Sequence, residues 1–130
     1  MSLLHVGKKN LTIFCTNIIC NHYNNMLEKK KCILVAEEQD NIIEVDTSLK
    51  ELYRYLKGTS TIIGSIPTLD AVILKCRESP FELMVNRNTD LLPIEEKYVL
   101  GPIIIVRMDE NSEHQNLTLS EVEPMLHHQV

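Results

Sequence analysis

The sequence predicts an α+β domain with a mostly antiparallel sheet of about five or six strands and two short helices. Three observations support this fold class. Short runs rich in Ile, Leu and Val alternate with polar turns, capping signals mark two helix starts, and the elements follow in the order strands, helix, strands, helix. Short strands joined by short polar turns pair antiparallel, because parallel pairing needs a long crossover.

The first predicted element is a β-hairpin. Residues 32–36 and 42–45 are short apolar runs suited to strands, and the polar residues 37–41 separate them. The separation matches a tight connection between neighbouring strands.

The first helix carries the strongest local signal. Ser48 and Glu51 form a capping box, in which the Ser hydroxyl accepts from the amide three residues later and the Glu side chain reaches back. Four residues follow at the i, i+3, i+4 and i+7 spacing of one helical face: Leu49, Leu52, Tyr53 and Leu56. Gly58 is predicted to end the helix in a left-handed conformation.

Further strands are predicted downstream at residues 61–63, 71–74 and 103–106, with an extended segment at residues 81–85. The last is the most apolar run, which favours a central strand that begins after Gly101-Pro102. Residues 91–100 read as a linker with a helical turn at 94–98.

A second short helix is predicted near the end of the chain. Two overlapping capping boxes begin at Thr118 and Ser120, with Glu121 and Glu123 as the reciprocal acids. Pro124 limits its length, because proline removes a helical hydrogen bond and clashes with the preceding turn.

Composition and charge exclude several classes of protein. The 130 residues carry a net charge of −5 at 44% hydrophobic content, which is ordinary for a soluble globular domain and unlike a collagen, a disulfide scaffold or a basic nucleic-acid binder. The charge is uneven, with +4 over residues 1–31 and −9 over residues 32–130. Since −9 repels a phosphate backbone, nucleic-acid binding is disfavoured.

This charge boundary suggests how the chain is organised. Residues 1–31 are interpreted as a basic N-terminal extension, either flexible or contributing an added edge strand at residues 11–19. Residues 32–126 form a single α+β domain, and residues 127–130 form a frayed tail.

Cysteine usage and hydropathy predict a cytoplasmic protein with no membrane association. Four Cys at irregular spacing do not make a disulfide framework, so reduced thiols are the simpler interpretation. The apolar stretch at residues 11–20 is shorter than the roughly 20 residues that a spanning helix requires. No small-residue cleavage site follows it, which disfavours a secretory signal.

Residues 32 to about 126 resemble a small domain-of-unknown-function family of bacteria, phages and mobile elements. Four stretches carry the likeness: Ile43-Glu44-Val45-Asp46 before a helix that ends at Gly58, a strand ending at Cys76 before an acidic turn, Val85-Asn86-Arg87 after a strand, and Gly101 opening an apolar strand with Leu117-Thr118 further on. Pro102 replaces the small residue usual after that Gly, and residues 1–31 lie outside the pattern. The resemblance implies a compact α+β fold, no known activity and no catalytic residues.

Motifs for catalysis, metals and cofactors are absent or incomplete. Cys15, Cys20 and His22 form one loose pair plus a histidine, whereas a zinc site usually needs two matched pairs. The four Gly residues allow no phosphate-binding loop, and no nucleophile elbow is present. We therefore expect no cofactor and no metal, and an enzyme is disfavoured. Because no His lies between His22 and His114, a core Cys–His pair would have to recruit a terminal segment.

Asn86, Arg87 and Asn88 are the candidate ligand-binding residues. Arginine presents a rigid fork that pairs with a carboxylate or phosphate at two points, so an Arg just after a strand can anchor an anion. The alternative is that Arg87 pairs with Asp90 or Glu82 and fixes its own loop, as exposed ion pairs commonly do.

These observations favour a small non-enzymatic binding or regulatory module whose partner is a protein with a basic surface. The alternative is a module that binds a small anionic or nucleotide-like ligand through Asn86 and Arg87. Self-association of the chain stays open.

Overall fold

The computed structural model describes residues 27–77 and 83–127. They form a six-stranded antiparallel sheet in the order β2-β1-β5-β4-β3, with β6 also paired to β5. The strands are β1 (Lys30–Val35), β2 (Ile42–Thr47), β3 (Ser60–Ile66), β4 (Ala71–Cys76), β5 (Ile103–Met108) and β6 (His114–Gln115). The predicted α+β class and its antiparallel sheet are confirmed.

Two short helices, each extended by a 3₁₀ turn, pack against the sheet within residues 27–77 and 83–127. Helix α1 (Leu52–Leu56) continues a 3₁₀ turn at Leu49–Glu51, and helix α2 (Leu119–Val122) leads into a 3₁₀ turn at Glu123–Met125. The N-caps predicted at Ser48 and Thr118 are confirmed: the Ser48 side chain accepts from the Glu51 N–H, and Thr118 caps α2. The overlapping box predicted at Ser120 is wrong, because Ser120 lies inside α2.

Strand β5 is the centre of the sheet. Its residues Ile103 to Val106 are all fully buried, as the most apolar run of the sequence predicts. It pairs with β4 on one side and with β1 on the other.

The side chains of the sheet form two apolar clusters, one on each face, because successive residues of a strand point to opposite sides. One cluster joins strand residues to α2 and the 92–99 segment: Ile33, Val35, Ile73, Ile103, Ile105, Leu92, Val99 and Val122. The other joins the opposite faces of the same strands to α1: Cys32, Val72, Leu74, Ile104, Val106, Leu52 and Leu56.

Two details of the local prediction are wrong. Lys57, with φ of 63°, adopts the left-handed conformation at the end of α1, whereas Gly58 has φ of 158°. Gly58 is needed for close packing instead, since a Cβ there would lie 2.7 Å from the Cys76 Sγ. The predicted helical turn at residues 94–98 is also absent, and a 3₁₀ turn forms at Thr89–Leu91.

Long-range pairing explains the second error. Ile94 forms an antiparallel bridge with Gly64 of β3, and the Val99 carbonyl accepts from the Asn86 N–H. The backbone groups of this segment therefore bond to distant strands, and tertiary pairing overrides the local pattern.

Several predictions fall outside the described residues. These are most of the basic extension, the strand suggested at residues 11–19, the Cys15-Cys20-His22 group, the first residues of the 81–85 segment and residues 128–130. Lys30 and Lys31, assigned by charge to the extension, open β1. Within residues 27–77 and 83–127 there is no helix long and apolar enough to cross a membrane.

An ion pair between Glu121 and Arg107 connects α2 to the central strand β5. The Glu121 carboxylate accepts from the Arg107 guanidinium at 2.6 Å and from both the backbone N–H and the hydroxyl of Thr118. Arg107 also donates to the carbonyls of Leu69 and Asn116. The Arg107 hydrogen bond and those from Thr118 lower the pKa of Glu121 to about 2.

We predict that the Glu121 carboxylate stabilises the fold in a pH-dependent way. Because its pKa is lower folded than unfolded, its contribution is complete above about pH 4.5 and declines as the pH falls toward 2. Urea unfolding of the wild type and of Glu121→Gln should therefore show a gap in unfolding free energy at pH 5.5 that narrows at pH 3. Glu123→Gln, at an exposed position of the same segment, is the control. A gap of equal size at both pH values would contradict the assignment.

Candidate functional site

Asn86 joins the first hairpin to the start of the central strand. Its side chain is 2% exposed, and its Nδ2 donates to the carbonyls of Val35 at 3.1 Å and Gly101 at 3.0 Å. Its Oδ1 accepts from the Asn88 N–H at 2.9 Å. Both amide hydrogens and the oxygen are therefore engaged within the protein.

The Asn88 side chain forms hydrogen bonds with the backbone of the first hairpin turn. This side chain is fully buried and donates from Nδ2 to the carbonyls of Ala36 and Glu38, at 2.8 and 2.7 Å. Its Oδ1 accepts from the N–H of Asp40, a residue held in the left-handed conformation with φ of 61°. The Asn88 amide thus supplies partners for the Ala36 carbonyl and the Asp40 N–H, and adds a second donor to the Glu38 carbonyl, which also accepts from the Asn41 N–H.

Arg87 lies between the two asparagines and differs from them. Its backbone N–H donates to the Glu37 carbonyl at 2.9 Å, while its side chain is exposed. Within the described chain it forms no ion pair, with Asp90 or with any other acid, and Glu82 lies outside the described residues. Of the three predicted ligand-binding residues, Arg87 alone offers a charged side chain to solvent, and ligand binding there stays a prediction.

Arg87 contributes to an open depression that we name the apolar groove. Its lining residues are Leu83, Met84, Val85, Arg87, Tyr98 and Leu100, and the volume is about 540 Å³. Met84, Val85 and Tyr98 are 64%, 42% and 68% exposed. The groove therefore presents large apolar side chains to solvent beside one cation.

Backbone pairing makes the walls of the groove. Val85 bridges Leu100 in antiparallel fashion, and the Asn86 and Gly101 N–H groups donate to the carbonyls of Val99 and Met84, at 2.8 and 2.7 Å. Gly101 has φ of 88°, and a Cβ there would lie 2.9 Å from Leu83. Only glycine combines this conformation with this close approach, so Gly101 sets the position of the groove floor.

Sequence reasoning predicted an extended segment at 81–85 but did not identify the apolar groove. The available signal was the apolar triplet at residues 83–85, together with Tyr98 in an otherwise polar linker. Neither signal reveals that the two segments pair, because fourteen intervening positions separate the bridged residues Val85 and Leu100 in the sequence.

A second constellation that the sequence did not predict joins Cys32 to His114. The Cys32 Sγ lies 3.2 Å from the His114 Nε2, and the two residues are 0% and 3% exposed. Strand β6 brings His114 to this position by pairing with the end of β5. The segment that carries His114 therefore reaches the core, as the sequence analysis required for any Cys–His pair there.

Burial keeps both groups of this pair neutral. Desolvation, with the Asp46 charge, raises the pKa of Cys32 to about 12, and desolvation, with the Lys30 charge, lowers the pKa of His114 to about 4. A reactive cysteine requires the opposite arrangement, with a thiolate beside an imidazolium. The pair is therefore built as a neutral hydrogen bond, and the His114 Nδ1 has no hydrogen-bond partner among the described residues.

Metal ligands do not converge in the described part of the chain. No group of three or more His, Cys, Asp or Glu residues there could hold a metal ion. A smaller polar depression of about 260 Å³, beside Lys29, Asp46 and Tyr55, contains the Glu51–Arg54 ion pair. Its lining contains charges of both signs, whereas the apolar groove has the Arg87 cation among apolar and aromatic side chains.

Comparison with known proteins gives one finding. The model of a family of unknown function, DUF5880, matches residues 27–125. No curated protein and no solved structure matches the chain. The matched range spans the two asparagines, the apolar groove and the Cys32–His114 pair.

We predict that His114 makes the protein sensitive to mild acid. Its folded pKa of about 4 lies below the ordinary 6.5, so the unfolded state binds the proton first and stability falls as the pH drops through this range. Between pH 7 and pH 5 the loss should be roughly 2 kcal/mol. Urea titrations should show a much smaller loss in His114→Gln, and His127→Gln should retain the wild-type dependence. If His114→Gln lost as much unfolding free energy as the wild type between pH 7 and pH 5, protonation of His114 would be excluded as the cause.

Proposed function

We propose that this chain, which belongs to the DUF5880 family of unknown function, is a small non-enzymatic module that binds another protein through the apolar groove. The observation that carries the proposal is the exposure of Met84 and Tyr98 beside Arg87. Aromatic residues, Met and Arg are the types enriched at protein interfaces, and exposed apolar patches commonly mark interaction sites.

The groove is held in shape before any partner binds. The Asn86 side chain fixes one wall to β1 and to Gly101, so that the exposed side chains project from a hydrogen-bonded base. A preformed surface loses less conformational entropy on association, which favours binding. Tyr98 and Met84 are suited to the centre of such a contact, and Arg87 to its rim.

Charge supports a partner with a basic surface. Residues 32–130 carry a net charge of −9, and this field steers positively charged proteins toward the domain. Within the apolar groove, Arg87 would then pair with a single carboxylate of the partner.

A second candidate function rests on the Arg87 guanidinium, which forms no ion pair with a residue that the structure describes. An anionic or nucleotide-like ligand would bind there through the guanidinium alone, because the amide hydrogens of Asn86 and Asn88 already donate to carbonyls. The expected origin of the family in bacteria, phages and mobile elements also remains a prediction, and with it a partner from a host cell.

The groove predicts that a crosslinker at position 98 captures a partner. We expect Tyr98→p-benzoylphenylalanine, expressed in the native host and irradiated, to give one discrete protein adduct. The adduct should be lost when Met84→Ser is added, because the partner requires the apolar surface. The same amino acid at Tyr53, which is 53% exposed on α1, is the matched control and should not give this adduct.

Two results would contradict the proposal. One is an identical adduct from positions 98 and 53 that survives Met84→Ser. The other is a concentration-dependent rise in melting temperature with ATP or GTP that disappears in Arg87→Ala, which would instead establish the ligand-binding alternative.

A further inference from the structure

Strand β2 forms one edge of the sheet that the described residues build, and none of those residues pairs with it as a strand on its outer side. Its only strand partner within the described residues is β1. The opposite edge is protected, because Gly64 of β3 bridges Ile94. Of the two edges, β2 is therefore the one that presents a free row of backbone donors and acceptors.

The register identifies which groups of β2 point outward. The Ala36 N–H donates to the Asn41 carbonyl, so the hydrogen-bonded pairs of the hairpin continue at every second residue, through Ile43, Val45 and Thr47. The backbone groups of Glu44 and Asp46 consequently face the open side. The same alternation on β1 turns the backbone groups of Lys31 away from β2. The Lys31 N–H donates to the Asn116 side chain, and the Lys31 carbonyl accepts from the Leu117 N–H.

The side chains beside these free groups are acidic. Glu44 and Asp46 are exposed and share one face of the sheet, while Ile43, which is 46% exposed, lies on the other face. Asp46 forms no ion pair with a residue that the structure describes. The Glu44 carboxylate lies 3.8 Å from the Lys31 Nζ and accepts a hydrogen bond from the Leu119 N–H at 2.9 Å. Edge strands are commonly protected by lysine or proline, and β2 contains neither.

We propose that β2 binds an extended, basic segment of another protein by adding it to the sheet as an antiparallel strand. The paired segment would place Lys or Arg directly opposite Glu44 and Asp46, two residues apart. The residue between them would be apolar and would pack beside Ile43 and Val45 on the other face. Main-chain hydrogen bonds supply affinity in such complexes, and alternate side chains supply specificity.

A second copy of the chain is a poor occupant of this edge. Antiparallel pairing of two β2 strands would bring the Glu44 and Asp46 side chains of both copies together on one face. Like charges opposite one another destabilise a sheet, so charge selects a basic strand over self-pairing. The surface is also separate from the apolar groove, and the two proposals stand or fall independently.

The test uses a synthetic capped peptide, Thr-Lys-Val-Lys-Val-Thr, titrated into the ¹⁵N-labelled full chain. We expect the largest chemical-shift changes at the Glu44 and Asp46 amides and binding that weakens as salt is added. Asp46→Asn removes the charge and should weaken binding about 2- to 5-fold. Asp46→Pro also removes the outward N–H but leaves the β1–β2 hydrogen bonds in place, and it should weaken peptide binding by roughly tenfold or more. Asp90→Asn and Met84→Ser, both away from β2, should bind as the wild type does.

A second measurement keeps the test independent of variant folding. A peptide N-methylated at alternate residues, in the register that faces β2, should fail to bind the wild-type chain. The proposal is overturned if the analogous Glu-Val peptide binds equally well, if N-methylation has no effect, or if the shift changes lie at the apolar groove. Sedimentation showing a dimer that Asp46→Pro dissociates would also overturn it, since the edge would then hold a second copy.

Discussion

Three consecutive carbonyl groups at the turn of the first hairpin accept hydrogen bonds from two adjacent residues, Arg87 and Asn88, some fifty positions further along the chain. The Asn88 side chain holds the carbonyls of Ala36 and Glu38, and the Arg87 N–H holds that of Glu37. A hydrogen bond within a protein typically contributes roughly 0.5–1.5 kcal/mol, so together these bonds tie the turn to the 86–88 segment. Both candidate binding surfaces depend on them, because the hairpin carries β2 and the 86–88 segment carries one wall of the apolar groove.

The two surfaces differ in the physical term that would drive binding. In the apolar groove, burial of Met84 and Tyr98 would dominate, with Arg87 adding one directed ion pair. At the β2 edge, unpaired backbone groups and the Glu44 and Asp46 carboxylates would dominate. Affinity at the edge should therefore respond strongly to salt, and affinity in the groove should respond to apolar substitution. By contrast, the Cys32–His114 pair is buried and neutral, which makes it part of the core.

Local signals in the sequence predicted most of the fold but only part of the site. Apolar runs marked β1 to β5, since a strand buried on both faces leaves a continuous run such as Ile103 to Val106. The linker at 94–98 was misassigned because its bonds go to distant partners. Residue type singled out Asn86 and Asn88, but their engagement with the hairpin turn depends on contacts across about fifty residues. Strand β6 left no signal, because its two polar residues pair only where the end of β5 is already in place.

The asparagine amides make the hairpin turn and the apolar groove a single structural unit, and this coupling can be measured. Native-state hydrogen exchange of Asn88→Ala tests it most directly. We predict faster exchange at Ala36 and Asp40 in the turn and, to a similar degree, at Asn86 and Gly101 in the groove wall, while β4 exchanges as in the wild type. Faster exchange confined to Asp40, with the Asn86 and Gly101 amides unchanged, would contradict the claim.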